Sequence, residues 1–120
     1  MAIRVAVIED NDVFRNALEL LLTLEGEIEI VSSAPDGDGI VERCLELDPD
    51  VLLVDYRLPG LDGVQVTRLV RERCPGVAVV ALTAAAEARE REALLQAGAA
   101  ACIGKDEPLD RIVEAVRSAA

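Results

Sequence analysis

The sequence predicts a single α/β domain of five βα units, folded as a doubly wound parallel sheet of strand order 2-1-3-4-5 between two layers of helices. Three observations predict it. Short, almost uniformly apolar runs at Ile3 to Ile8, Val51 to Val54 and Val77 to Leu82 have the composition of strands buried on both faces, as parallel strands are. The segments between them carry apolar residues at helical spacing, and alternation of the two with short connections forces parallel pairing through right-handed crossovers. A length of 120 residues supports one core but not a closed eightfold barrel, which needs about twice the chain.

The first strand, Ile3 to Ile8, is broken only by Arg4 and ends in Glu9-Asp10-Asn11-Asp12. Phe14, Ala17, Leu18, Leu21 and Leu22 then mark the first helix, with Asp12 placed as its cap and Gly26 closing it. Ile28 to Val31 reads as a short second strand and Pro35 to Gly39 as a turn. Ile40, Val41, Cys44, Leu45 and Leu47 form the apolar face of the second helix, which ends before Pro49. The third strand, Val51 to Val54, runs into Asp55. Pro59-Gly60 makes a turn, and Asp62 caps a helix whose first turn holds Gly63 and whose inner face is Val64, Val66, Leu69 and Val70. After Pro75-Gly76 the fourth strand closes on Thr83. Ala84 to Ala97 is rich in helix formers, but its apolar stripe is thin, mainly Ala88, Leu94 and Leu95, so this helix is the most loosely held. Ala99 to Ile103 gives a small-residue fifth strand leading to Gly104-Lys105. Pro108 opens the last helix, with Leu109, Ile112, Val113 and Val116 inward.

Composition removes several functions. The chain is 52% hydrophobic but only 2% aromatic, so Ala, Val, Leu and Ile must fill the core. Twelve basic residues against 23 acidic give a net charge of −11, which opposes direct binding to nucleic acid or to an anionic membrane. Cys44, Cys74 and Cys102 are odd in number and scattered, with neither disulfide-framework nor zinc spacing. No apolar run approaches the ~20 residues of a membrane span, and no signal peptide precedes the first strand, so a cytoplasmic protein is expected.

In an open parallel sheet ligands sit at the carboxyl ends of the strands, where the connections diverge. Four such ends here deliver Glu9 and Asp10, Asp55, Thr83 and Lys105 to one rim. Singly each has an ordinary structural explanation as a cap, a turn residue or a solvated charge. Together they occupy equivalent places in four units. Three neighbouring carboxylates repel one another unless a cation compensates, and hard oxygen ligands at this density suit Mg²⁺. One divalent cation and one ammonium would balance the three carboxylates, leaving a pocket suited to a phosphoryl group that passes to Asp55. Lys105 is the one lysine among the 12 basic residues, as expected where a compact point charge is required.

These residues resemble the receiver domain of bacterial two-component response regulators, and the resemblance covers residues 1–120 as one domain. It is carried by Glu9-Asp10, by Asp55-Tyr56-Arg57-Leu58-Pro59-Gly60-Leu61-Asp62-Gly63, by Thr83 closing Val79-Val80-Ala81-Leu82, and by Gly104-Lys105. It implies a CheY-like, flavodoxin-like three-layer sandwich. It also implies that Asp55 accepts a phosphoryl group from a sensor histidine kinase, and that Glu9, Asp10, Asp55 and the backbone carbonyl of Arg57 hold Mg²⁺. Thr83 and Lys105 would contact the phosphoryl oxygens. The chain is then a phosphoacceptor promoting its own phosphorylation and dephosphorylation, not an enzyme. Its output would pass through the face of helix four, strand five and helix five to an output domain or partner protein, with homodimerisation on phosphorylation. Lys105-Asp106 resembles the NarL/FixJ-like subclass, whose full-length members control transcription through a C-terminal helix-turn-helix. A receiver fragment and a stand-alone receiver or pseudo-receiver acting by protein contact are both consistent with this sequence. It departs from the family in having Glu9 where Asp is more usual and Cys102 where an aromatic residue commonly stands.

Two other chemistries fit less well. A phosphoaspartyl hydrolase would need a second catalytic acid and a lid, and the chain has no histidine and only short loops. A flavodoxin-like cofactor protein would need a phosphate-binding loop where Glu9-Asp10-Asn11-Asp12 would repel an anion.

Overall fold

The computed structural model describes residues 2–84 and 88–120. Strands β1 (Ile3–Ile8), β2 (Ile28–Ala34), β3 (Val51–Asp55), β4 (Ala78–Thr83) and β5 (Ala101–Gly104) alternate with helices α1 (Asp12–Leu24), α2 (Ile40–Leu47), α3 (Gly63–Arg73), α4 (Ala88–Gln96) and α5 (Leu109–Ala119). All pairings are parallel, in the order β2-β1-β3-β4-β5 that the sequence predicts. From β1 the chain first moves outward to β2, then crosses back to β3 and on to β5. Right-handed crossovers consequently place α1 and α5 on one face and α2, α3 and α4 on the other.

Strand alternation builds both cores from one sheet. Val5, Val7, Val51, Leu53, Val80, Leu82 and Ile103 pack against Leu18 and Leu22 of α1 and Ile112, Val113 and Val116 of α5. Ala6, Ile8, Leu52, Val54, Val79, Ala81 and Cys102 pack against Ile40 and Cys44 of α2, Val66 and Val70 of α3 and Leu94 of α4. Arg4, the polar interruption of β1, accounts for itself: its guanidinium donates to the carbonyls of Leu47 and Asp48, and its backbone N–H to Asp50 Oδ2 at 2.8 Å. The three cysteines are buried and free. Burial, with Cys74 alongside, pushes the Cys44 thiol up to about 12, so it stays protonated and unreactive at neutral pH.

Several local expectations are corrected. The cap of α1 is Asn11, whose Oδ1 accepts from Phe14 N at 2.9 Å, and Asp12 is the first helical residue, paired with Arg15 at 2.6 Å. Asparagine wins because the preceding Glu9 folds back, its Oε2 accepting from Asn11 N at 3.0 Å, which fixes Asn11 as the turning residue. β2 continues to Ala34 because it pairs with β1 along its whole length across a register irregularity at Val5/Ala6. β5 begins at Ala101, not Ala99. Ala17, Leu45, Leu95 and Leu109, expected inward, are exposed, as is Ala88. In α4 the Arg91 guanidinium donates to the Cys102 carbonyl at 2.7 Å, and this anchor turns Glu90 and Leu94 to the sheet in place of Ala88 and Leu95. The expected start of that helix includes residues 85–87, outside the described residues.

Candidate functional site

Two turns shape the rim. Gly60, at φ +76, supplies the left-handed residue that a Pro-Gly turn of this kind needs. Asp62 and Gln65 then form a reciprocal capping box at the start of α3. Gly63 is demanded by packing: a Cβ there would lie 2.6 Å from the Asp55 carbonyl oxygen and 2.7 Å from Tyr56 Cα. The helix thus begins hard against the strand end that carries Asp55, and Gly63 N donates to Tyr56 O at 2.8 Å.

Asp55 is the last residue of β3 and only 3% exposed, beside Glu9, which is fully buried just past β1. Among the described residues, Glu9, Asp10 and Asp55 each present a carboxylate oxygen within 4.8 Å of the others. Lys105, following the edge strand β5, reaches past β4 to the ends of β3 and β1: its Nζ lies 2.5 Å from Glu9 Oε1 and 3.2 Å from Asp55 Oδ2. Its backbone N–H donates to Thr83 O at 2.7 Å, so the residue that closes β4 also positions the lysine. Burial pushes the Asp55 carboxyl up to about 6, Glu9 adds to this, Lys105 opposes it, and Asp10 adds a smaller push. Burial works against the Lys105 ammonium, but the bond to Glu9 and the charges of Asp55 and Glu9 outweigh it and raise its pKa.

This arrangement fits a divalent cation. Three hard oxygen donors converge, and among the described residues the Lys105 ammonium is the one positive charge against the buried Glu9 Oε1. Arg57, proposed from sequence as a carbonyl donor, is exposed in the bend two residues beyond Asp55. Thr83 is buried, 1% exposed, and belongs with the strand positions that face α2–α4, as does the Cys102 thiol on β5. Burial raises the pKa of that thiol, while Arg91 and the Thr83 hydroxyl draw it down.

The chain matches the family described as the response regulator receiver domain over residues 5–117. It belongs to that family. Among curated relatives of this receiver domain are the transcriptional regulatory protein LnrK of Bacillus subtilis, 34% identical, and the response regulator GacA of Pseudomonas aeruginosa, also 34% identical. The alignments cover 95% and 96% of the chain but 52% and 54% of those relatives, so it spans about half their length. Among solved structures it superposes on the signal receiver domain of NarL from Mycobacterium tuberculosis with a TM-score of 0.91 at 37% identity, covering 98% of this chain and 94% of that one. The response regulator domain of Thermotoga maritima CheB gives 0.90 at 25% identity, covering 99% and 96%. The CheY-like three-layer sandwich is thereby established, and receiver domains of this family work with histidine kinases and output partners.

Every side chain nominated from sequence lies at the carboxyl edge of this receiver domain, and Glu9, Asp10, Asp55 and Lys105 meet. Sequence reasoning missed Phe14, whose ring lies under the Lys105 ammonium, and Arg15, which donates to the Glu9 carbonyl at 2.6 Å and fixes the β1–α1 turn. Phe14 had a helical-face signal that reads equally as core. Arg15 had none, because its partner is a backbone atom.

Proposed function

We propose that this receiver domain takes a phosphoryl group onto Asp55 from a sensor histidine kinase, in a Mg²⁺-dependent reaction, and switches conformation to control an output. The observation that carries this reading is the placement of a buried carboxylate at a strand end, with a lysine ammonium 3.2 Å away and two further carboxylates within reach of one shared cation. A carboxyl held near 6 is still mostly ionised at neutral pH, so an Asp55 oxygen is available to attack phosphorus as the bond to the donor breaks. Lys105 and the Thr83 hydroxyl would stabilise the oxygens of the transferring group. Mg²⁺, when held by Glu9, Asp10, Asp55 and the Arg57 carbonyl, would supply the positive charge that lets two anions approach.

The chain then acts as a phosphoacceptor and not as an enzyme with turnover on an external substrate, in a cytoplasmic setting. Its relatives' names as transcriptional regulators support an output in transcription through a DNA-binding domain, since a charge of −11 makes this chain itself a poor DNA ligand. The α4–β5–α5 face suits the output contact: Arg91 couples α4 to β5 through Cys102 O, and β5 pairs with β4, whose last residue is Thr83, so a movement of Thr83 would be felt on that face. Phosphorylation would also favour homodimerisation there. Incubation with acetyl phosphate and Mg²⁺ should add the mass of one phosphoryl group to the intact protein. Asp55→Asn should abolish the increase, and equal labelling of the variant would refute the assignment.

A further inference from the structure

The chain has one phenylalanine and one lysine, and the fold brings them together: Lys105 Nζ lies 4.7 Å from the centroid of the Phe14 ring. That distance is inside the ~6 Å over which a ring face attracts a cation. We infer that Phe14 is a positioning residue, whose ring holds the Lys105 ammonium between Glu9 and Asp55.

The placement follows from the β1–α1 turn. Asn11 caps α1, Glu9 accepts from Asn11 N, and Arg15 donates to Glu9 O, so the first turn of the helix is tied to the carboxylate that Lys105 meets. Phe14 sits on that turn, half-buried against the core shared by α1 and α5. The lysine side chain is 20% exposed, with two carboxylates ahead of it and the ring beneath, so little water competes for its charge. The three contacts differ in one respect that matters. Glu9 and Asp55 attract the ammonium only while their own charge is unshared, and any cation gathered by the acidic cluster weakens that attraction. The pull of a neutral ring persists. Phe14 therefore keeps the ammonium over Asp55 when the carboxylates turn to a metal, which is when the ammonium is needed for an incoming phosphoryl group.

The inference deepens the reading of Lys105 as a phosphoryl contact and rests on it, yet the two can be separated, because each partner is the chain's single residue of its type. Lysine labelled at the ε-carbon reports one side chain, and phenylalanine analogues supplied during expression alter one ring. In the full chain the Lys105 ε-protons should show an upfield ring-current shift that disappears in Phe14→Leu and persists in Phe14→Tyr. With saturating Mg²⁺, acetyl phosphate should label Phe14→Leu, and protein carrying pentafluorophenylalanine, roughly five- to tenfold more slowly than wild type. The Tyr variant should keep the wild-type rate. Pentafluorophenylalanine nearly preserves ring size and inverts the quadrupole, so a purely space-filling role would leave its rate unchanged and would overturn the inference. An ε-proton shift equal in wild type and Phe14→Leu would overturn it too, without any phosphorylation being measured. A wild-type chain showing the shift but taking up no phosphoryl group would refute the role of Asp55 and leave the ring's hold on Lys105 standing.

Discussion

Replacing the central carboxylate should make the cation-free protein more stable. At neutral pH Asp55 is ionised in a buried site beside Glu9, and its pKa stands at about 6 against an ordinary 3.8. The native state thus holds this proton more tightly than the unfolded chain does. Its ionisation opposes folding as pH rises through the interval between those values, with the whole penalty present above about 6. At about 1.4 kcal/mol for each pH unit of displacement, the penalty is about 3 kcal/mol. Asp55→Asn keeps the shape and removes the charge, so in EDTA at neutral pH it should be about 2–3 kcal/mol more stable, a rise in Tm of roughly 8–12 °C for a domain of this size. The assay is urea and thermal unfolding followed by far-UV circular dichroism. On acidification from neutral the gap should close, vanishing below about 4, as wild-type Asp55 takes up its proton. Added Mg²⁺ should close it from the other side by stabilising wild type more than the variant. An Asn variant less stable than wild type at neutral pH, or a gap that widens on acidification, would refute the repulsion read from the acidic cluster.

The first turn of α1 divides its roles between adjacent residues: Asn11→Ala should cost about 1 kcal/mol in urea unfolding through the lost cap, whereas Asp12→Ala loses an exposed ion pair worth at most ~0.5 kcal/mol. Asp10→Ala should lower Mg²⁺ affinity at least tenfold in a calorimetric titration while leaving unfolding nearly unchanged, since Asp10 is exposed and presents a carboxylate oxygen within 4.8 Å of those of Glu9 and Asp55. Gly63→Ala should destabilise by roughly 1–3 kcal/mol, because its Cβ meets backbone that cannot rotate away; a neutral result in denaturation would show that α3 shifts freely. Lys105→Arg should phosphorylate more slowly with acetyl phosphate despite its preserved charge, since a planar fork cannot sit 3.2 Å from Asp55, bond Glu9 and cover the Phe14 ring at once.

The sheet order, the five βα units and the identity of the rim residues are legible in the sequence because each depends on local pattern. Uniformly apolar strands require a sheet covered on both faces, right-handed crossovers allow few windings, and a strand followed at once by a carboxylate, threonine or lysine sends that residue to the one edge where loops diverge. Which side chains actually touch is another matter. That Lys105 spans Glu9 and Asp55 while Thr83 turns to the side of α2–α4 depends on the alternation of four strands in register, a relation between segments far apart in the chain. The rotation of α4 depends on one bond from Arg91 to a backbone carbonyl, and an apolar stripe made of alanine and two leucines could not predict it. Phe14 shows the division within a single residue. Its helical spacing already placed it on the inner face of α1, but the lysine above it arrives from 91 residues away, brought there by the order of the strands.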